Sequence, residues 1–466
     1  MLQKGASYIG HVSMLVLIFL SVYFYQEKML HTDNAYGALA LINTNEFIIP
    51  HYRYPLVITQ ILPLLAIKLG LSLKFVLIAF SASFYLIYYL CFLLVNNGFK
   101  NVKAGLLILF TVLVTTSEVF FLQTELLHGL VFGVTFYAWF YYTEGKKITS
   151  LVNQFLGVLL LLIALLFHPI SALFVLFLLI WIMIETNNYS NKKIYLYLLL
   201  AVVVLVVKTL LTPANSYEGG FLQMPSFYIA FMGINKSYSL GFFVKRLQGL
   251  YLLPTILLLV SLIWLGYKKQ FLQAAYLLIS AVGYLLFIAI FIKGDSDIMM
   301  ERVFLPYGLI ASIGLVSVFV NQPKSNLSTI KSSFLMFALI GVIVAGIVKI
   351  SEASLIYSHR LSLVNQQAEK AQQAIGTKFY VFNSDVPYPF GMWANACEQI
   401  LYSALHFPNN IKTVFIFDDE TDAKNTLNSN PETLLLTRFY LVTTDNILNK
   451  TYFNLAPNTY KYLILK

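Results

Sequence analysis

The sequence predicts an all-α polytopic membrane protein with about 11 transmembrane helices and a small C-terminal extracytoplasmic α/β domain. Composition is the first reason: 59% of the 466 residues are hydrophobic and 11% are charged. Soluble domains are about half apolar and roughly a quarter charged. The second reason is a series of apolar runs near the length of about 20 residues that crosses the hydrocarbon core. The third is the placement of lysine in the short loops between these runs.

Apolar runs divide the first 350 residues into predicted spans. The spans are residues 8–25, 73–95, 104–121, 126–142, 151–167, 169–184, 195–212, 250–267, 272–292, 303–320 and 332–350. The first run has no small-residue cleavage site after it and is expected to be a retained anchor. Residues 55–71 are apolar but contain Pro63 and Lys68, so we interpret them as a juxtamembrane helix in the interface. The predicted domains are therefore 1–350, with its first outer loop at 26–72, and 351–466.

The loops predict the orientation. With a cytosolic N-terminus, the inward loops are 96–103, 143–150, 185–194, 268–271 and 321–331, and each carries two lysines. These lysines are Lys100, Lys103, Lys146, Lys147, Lys192, Lys193, Lys268, Lys269, Lys324 and Lys331. Basic short loops stay on the cytosolic side. The chain is thus expected to have a cytosolic N-terminus and an external C-terminal domain.

The positive charge does not indicate a nucleic-acid partner. Residues 1–350 contain 22 Lys and Arg against 11 Asp and Glu, whereas residues 351–466 contain 9 against 10. The whole surplus of +10 therefore belongs to the membrane part, where basic residues determine topology. Cys91 and Cys397 are too few for a disulfide framework or a cysteine metal cluster.

The tail after residue 351 changes to a soluble composition. Residues 352–375 predict a polar helix, and a second helix is expected near Trp393–Leu405. Short β-rich runs occur at Lys378–Phe382, Thr413–Phe417, Leu434–Leu436, Phe439–Thr443 and Tyr460–Leu465. This alternation predicts a small α/β fold. The tail contains no nucleotide-binding glycine loop and no catalytic-triad motif.

Acidic residues gather on the predicted outer side. Of the eleven before residue 350, nine fall in outer loops or at outer helix ends: Glu27, Asp33, Glu46, Glu118, Glu125, Glu218, Asp295, Asp297 and Glu301. Longer and wetter outer loops are one explanation, and a site at the outer face is the other. Arg53 and Arg302 are on the same side, and arginine suits phosphate because its planar fork makes paired hydrogen bonds.

The first outer loop reads DNAYGALALINTNEFIIPHYRYPL from Asp33. It resembles the opening loop of GT-C glycosyltransferases, the polyprenyl-phosphate-sugar-dependent type that includes protein mannosyltransferases and aminoarabinose transferases. Asp33 takes the acidic position, Tyr36 the aromatic one, and Glu46–Pro50 the middle stretch. Tyr54–Pro55–Leu56 replaces the usual Pro-Pro-Leu, and Asp33–Asn34 replaces the usual Asp-Glu pair. The resemblance covers about residues 8–145, and isolated similar stretches follow as far as Glu301–Pro306.

The resemblance implies an integral membrane glycosyltransferase. Its donor would be a polyprenyl-phosphate-linked sugar, its acceptor a glycan, lipid or protein, and its location the bacterial inner membrane, among membrane lipids. Asp33 would act as the catalytic base toward the acceptor hydroxyl. Substrate contacts are assigned to Arg302, Arg53, Glu125, His168 and Tyr36. No cofactor is certain; Glu125 and His128, three residues apart, are candidate ligands for a divalent metal.

Each assignment has a structural alternative. Asp33 also fits a helix N-cap before Asn34–Ile42, and Arg302 a partner of Asp295 or Asp297. Glu125 with His128 also fits a capping carboxylate and a buried histidine. Two further functions are a lipid-linked glycan transporter or flippase, which needs charges along a midplane path, and a non-catalytic scaffold with an external binding domain.

Overall fold

The computed structural model describes residues 2–144, 151–212, 231–292, 297–320, 329–386, 393–429, 433–438 and 447–465. Helices dominate this part of the chain, and a small sheet lies in the tail. The helices are α1 Leu2–Tyr23, α2 Tyr25–Met29, α3 Thr32–Thr44, α4 Val57–Lys68, α5 Leu73–Leu93, α6 Val102–Leu113, α7 Glu125–Thr143, α8 Leu151–Phe167, α9 Pro169–Glu185, α10 Lys192–Leu211, α11 Tyr238–Arg246, α12 Leu252–Tyr267, α13 Phe271–Phe291, α14 Asp297–Val303, α15 Leu305–Val320, α16 Thr329–Gln373, α17 Asn395–His406 and α18 Glu420–Ser429.

The helical membrane class predicted from composition is confirmed in its coarse form. Among the described residues, six helical stretches are long and apolar enough to cross a membrane: Gln3–Tyr23, Leu73–Gly98, Lys192–Leu211, Phe271–Phe291, Met299–Val316 and Ser333–Gln373. Other apolar helices are shorter. Helix α4, which we interpreted as juxtamembrane, has 12 residues, below the length of about 20 that a span requires. The total of eleven spans stays a prediction.

Contacts between distant residues distinguish the two ends of the helical bundle. Glu185, the last residue of α9, pairs with Lys103 and accepts a hydrogen bond from Tyr141 near the end of α7. Arg53 pairs with Glu125 at the start of α7. We call the end at Glu125 the site end and the end at Glu185 the lysine end. Of the predicted inward-loop lysines, Lys146, Lys147 and Lys324 lie outside the described residues.

Helix α6 corrects the span predicted at 104–121. The helix ends at Leu113, and residues 114–124 are irregular apart from one short 3₁₀ turn. The carboxylate of Glu301 explains the break because it accepts the backbone N–H groups of Ser117, Glu118 and Val119 at 2.8–3.2 Å. These amides therefore have a side-chain partner in place of the next helical turn.

A partly buried cation supports the same break from the other side. The Nζ of Lys349 donates to the carbonyl oxygens of Leu250 and Val114, at 2.7 and 3.3 Å. Val114 directly follows the last residue of α6, where no further helical turn supplies a partner for its carbonyl oxygen. Irregular backbone at membrane depth is tolerated where protein side chains satisfy its polar groups.

The tail begins without a break in the chain. Helix α16 runs continuously for 45 residues from an apolar segment into a polar one, where we predicted a span at 332–350 and a separate helix at 352–375. The change from apolar to polar residues after Lys349 does not by itself end the helix. No proline or glycine, the usual helix-ending residues, follows until Gly376.

Among the described residues of the tail, three strands form one sheet: β1 Lys378–Phe382, β2 Thr413–Phe417 and β3 Lys461–Tyr462. All pairings are parallel, in the order β2–β1–β3. The first two strands coincide with the predicted runs, while the run at Tyr460–Leu465 is reduced to two residues. Leu434–Leu436 forms an isolated bridge rather than a strand, and the run at Phe439–Thr443 lies outside the described residues.

Candidate functional site

The centre of the candidate site is the carboxylate of Asp33. Its Oδ2 lies 2.8 Å from Nη2 of Arg302, and its Oδ1 accepts a hydrogen bond of 3.0 Å from the indole Nε1 of Trp393. Asp33 comes from the first loop, Arg302 from α14 and Trp393 from the tail. Three distant segments thus converge on one carboxylate.

Helix α3 places Asp33 inside its first turn. The helix begins at Thr32, and its N-cap residue His31 makes no side-chain capping hydrogen bond. The interpretation of Asp33 as an N-cap is therefore wrong. The pairing of Arg302 with Asp297 is also wrong, since Asp297 pairs with Arg246 at 3.0 Å; Asp295 lies outside the described residues.

The Asp33 side chain is partly exposed. About two fifths of its side chain is exposed, 39%, and Arg302 keeps 24%. Burial is nevertheless the largest influence on the pKa of Asp33 and acts to raise it. The charge and hydrogen bond of Arg302, the Trp393 hydrogen bond and the charge of Arg53 outweigh burial, so that the pKa falls below its usual value. Asp33 is therefore ionised while Arg302 holds it.

Arg302 retains unused hydrogen-bonding capacity. Its Nε–H is buried and has no hydrogen-bond partner among the described residues. A buried unpaired donor costs free energy, which makes such a group informative at a site. The guanidinium can donate its Nε–H to an anion while one of its Nη groups faces Asp33.

A second ion pair lies beside the first. Arg53, 7% exposed, lies 3.1 Å from Glu125, 26% exposed. His51 and Tyr52, directly before Arg53, adopt left-handed backbone with φ of 54° and 59°. Such backbone costs about 1–3 kcal/mol per non-glycine residue, so surrounding contacts hold this turn in place. The pair ties the first loop to the start of α7.

His128 belongs to the packed interior. Its Nδ1 lies 2.9 Å from the carbonyl of Thr124 and 3.1 Å from the hydroxyl of Tyr88, and its ring contacts Phe84 and Phe167. Glu125 pairs with Arg53 instead of sharing a ligand with His128. Among the described residues no group of three His, Cys, Asp or Glu side chains is arranged to hold a metal ion. The donor set therefore does not fit the divalent metal considered above.

His168 caps a helix. Its Nδ1 accepts the backbone N–H of Ile170 at 3.1 Å, and Pro169 occupies the first helical position of α9. Burial and then the charges of Arg53, Lys208 and Arg302 hold the pKa of His168 well below its usual value. The imidazole is therefore neutral and contributes hydrogen bonding rather than charge to the site end.

Sequence reasoning missed the contribution of the tail. Tyr36, an assigned substrate contact, packs its ring 5.2 Å from that of Trp393. Glu398 accepts two bonds from Nη2 of Arg360, at 2.6 and 2.7 Å, and the backbone N–H of Thr32 at 2.6 Å. Sequence spacing contains no signal for the contacts of Tyr36 with Trp393 and of Thr32 with Glu398, because each joins positions more than 350 residues apart.

The chain matches no family model, no curated protein and no solved structure. Its function is therefore inferred from the chemistry of the described residues. A water-accessible carboxylate between an arginine and an indole, at the end of a helical bundle, can accept a proton beside a bound anion.

Proposed function

We propose that this chain is an integral membrane glycosyltransferase that moves a sugar from a polyprenyl-phosphate donor to an acceptor at the outer face of the membrane. The observation that carries the proposal is the pairing of Asp33 with Arg302, two charged side chains that both stay partly exposed. Transfer from a lipid phosphate needs a base for the acceptor and a cation for the departing phosphate. These two groups lie 2.8 Å apart.

The donor phosphate would bind Arg302 in competition with Asp33. Arginine binds phosphate through two parallel hydrogen bonds, and the unpaired Nε–H of Arg302 supplies one donor of that fork. Binding would draw the guanidinium away from the carboxylate. Asp33 would then lose the partner that most lowers its pKa and become a stronger base once the donor is in place.

In the transfer step, Asp33 accepts the proton of an acceptor hydroxyl. The acceptor oxygen forms a bond to the anomeric carbon of the sugar while the bond from that carbon to the phosphate oxygen breaks. The electron pair of the broken bond stays on the polyprenyl phosphate, whose charge Arg302 stabilises. Arg53 adds positive potential nearby, because its charge also acts on Asp33.

The pairing favours an enzyme over a transporter or a scaffold. A transporter is expected to bind substrate near the bilayer midplane between broken helices. The Asp33–Arg302 pair instead joins the first loop to the short helix α14, which precedes α15, and the tail covers it through Trp393. A non-catalytic scaffold requires no accessible carboxylate–arginine pair. A loss of sugar transfer on one conservative substitution would distinguish an enzyme from such a scaffold.

Purified full-length protein tests the proposal. We expect transfer from a panel of polyprenyl-phosphate sugars to fall by about 10²–10⁴-fold in Asp33→Asn, because a positioned general base contributes that much. Binding of the donor should be at least as strong as in the wild type, since Arg302 is retained and the carboxylate that competes with the phosphate is removed. Asp297→Asn is the matched control, because Asp297 pairs with another arginine on the same side and should leave transfer unchanged. Full activity in Asp33→Asn would contradict the proposal and favour the scaffold.

A further inference from the structure

Two aromatic residues from distant segments lie beside Asp33. Tyr36 lies one turn after Asp33 on α3, so both side chains project from the same face of the helix. The ring of Trp393 meets that of Tyr36 at 54°, and its Nε1–H donates to Asp33. Both rings are only partly buried. Part of the surface of each residue therefore stays exposed close to the carboxylate.

Contacts at both ends of α3 hold the tail against this helix. At the start, Glu398 accepts the backbone N–H of Thr32, and at the end, Asn449 donates its side-chain N–H to the carbonyl of Ile42 at 2.9 Å. The backbone N–H of Asn449 also donates to Asn43 at 3.1 Å. Trp393 consequently has a defined position relative to Asp33.

We propose that Tyr36 and Trp393 form the subsite that binds the sugar ring of the donor, an inference that rests on the function proposed above. A pyranose presents C–H groups on its faces and hydroxyls around its rim. Ligand sites for such molecules combine aromatic surface with a few placed polar groups. Tryptophan and tyrosine supply large rigid apolar faces together with one polar donor each.

The order of groups around Asp33 agrees with the order of groups in the donor. Arg302 holds one oxygen of Asp33 and Trp393 holds the other. A phosphate at Arg302 and a sugar at Trp393 would therefore flank the same carboxylate. In a sugar phosphate these two parts are joined through the anomeric carbon, which is the atom that the acceptor attacks. The tail thus supplies half of the sugar subsite.

Binding measurements on full-length protein in detergent test this assignment with two probes. One probe is a short-chain polyprenyl phosphate that carries a hexose, and the other is the same lipid phosphate without sugar. We expect Trp393→Ala to weaken binding of the sugar-carrying probe about tenfold, the change that follows from losing roughly 1.4 kcal/mol of contact. Binding of the sugar-free probe should change less than twofold. Trp393→Phe, which keeps a ring, should give an intermediate loss.

Two controls separate the subsite from a structural role. Trp264→Ala removes a partly buried tryptophan of α12, which lies beside Lys268 towards the lysine end, and should affect neither probe. Arg302→Gln should weaken both probes. Equal weakening of the binding of both probes in Trp393→Ala would contradict the sugar subsite and indicate that Trp393 only supports Asp33. No weakening of either probe would also contradict the sugar subsite. If neither probe binds the wild type, the proposed function fails together with the subsite.

Discussion

Glu398 on α17 lies 2.6 Å from Arg360 on α16, and the two side chains are only 1% and 4% exposed. The same carboxylate accepts the N–H of Thr32, the first residue of the helix that carries Asp33. A buried ion pair in the tail is thereby connected to the catalytic candidate through a single residue.

We expect Glu398→Gln to destabilise the protein by about 3–5 kcal/mol, because it leaves the charge of Arg360 buried without a counterion. Thermal unfolding of the purified protein, followed by circular dichroism, measures the change. Lys424→Ala is the control, since Lys424 pairs with Glu420 on the surface, and it should have no measurable effect. Unchanged stability in Glu398→Gln would mean that the tail is not docked through this pair.

His168 predicts a loss of stability in mild acid. An unfolded histidine titrates near 6.5, and the pKa of His168 is lower in the folded protein. Below about pH 6.5 the unfolded chain therefore binds more protons than the folded one, and stability falls as pH decreases. The loss is at most about 1.4 kcal/mol per pH unit from this residue.

His168→Asn keeps a side-chain acceptor at the N-cap and removes the titration. The melting temperature of the wild type should therefore drop more between pH 7.5 and pH 5.0 than that of His168→Asn. His31 is also buried, and its pKa is also lowered, but it is present in both proteins and cancels in the comparison. Parallel pH profiles for the two proteins would contradict a neutral capping role.

The approach of α15 to the end of α6 predicts a packing defect. A Cβ at Gly308 would lie 2.4 Å from Cγ2 and 2.7 Å from Oγ1 of Thr115. Gly308→Ala should cost about 1–3 kcal/mol, because it overfills this contact. Gly283→Ala is the control, as no atom lies within 4 Å of its added Cβ. Adding Thr115→Ala to Gly308→Ala should restore most of the stability in thermal melts, and failure to do so would place the clash elsewhere.

The orientation predicted from the loop lysines has a direct test. In a background with Cys91 and Cys397 replaced by alanine, single cysteines are introduced at Lys147 and Asn410. A membrane-impermeant thiol reagent added to intact cells should label position 410 and spare position 147, since the latter is in a predicted cytosolic loop. Detergent-permeabilised cells provide the control in which both react. Labelling of position 147 alone in intact cells would invert the topology.

Local sequence patterns predicted several elements closely. Strands β1 and β2 match the predicted runs at Lys378–Phe382 and Thr413–Phe417, because β-branched and aromatic residues suit the packed surface of a sheet wherever the strand finds its partner. Composition and the length of the apolar runs likewise predicted a helical membrane protein, since exposing apolar surface to water is costly in proportion to its area and about 20 apolar residues cross the hydrocarbon core as a helix.

Only the tertiary structure decided where α6 ends and which groups surround Asp33. The end of α6 depends on Glu301, which accepts the N–H of Ser117 from 184 positions away. Asp33 receives its partners from α14 and from Trp393, 360 positions away in the tail. The pattern of apolar and polar residues predicts whether a segment is exposed to lipid or to water. Hydrogen bonds and ion pairs between distant segments depend instead on how the helices pack. The sequence therefore determined the membrane class and the candidate acidic and basic residues of the predicted outer loops. Packing alone determined that Asp33 and Arg302 form a pair.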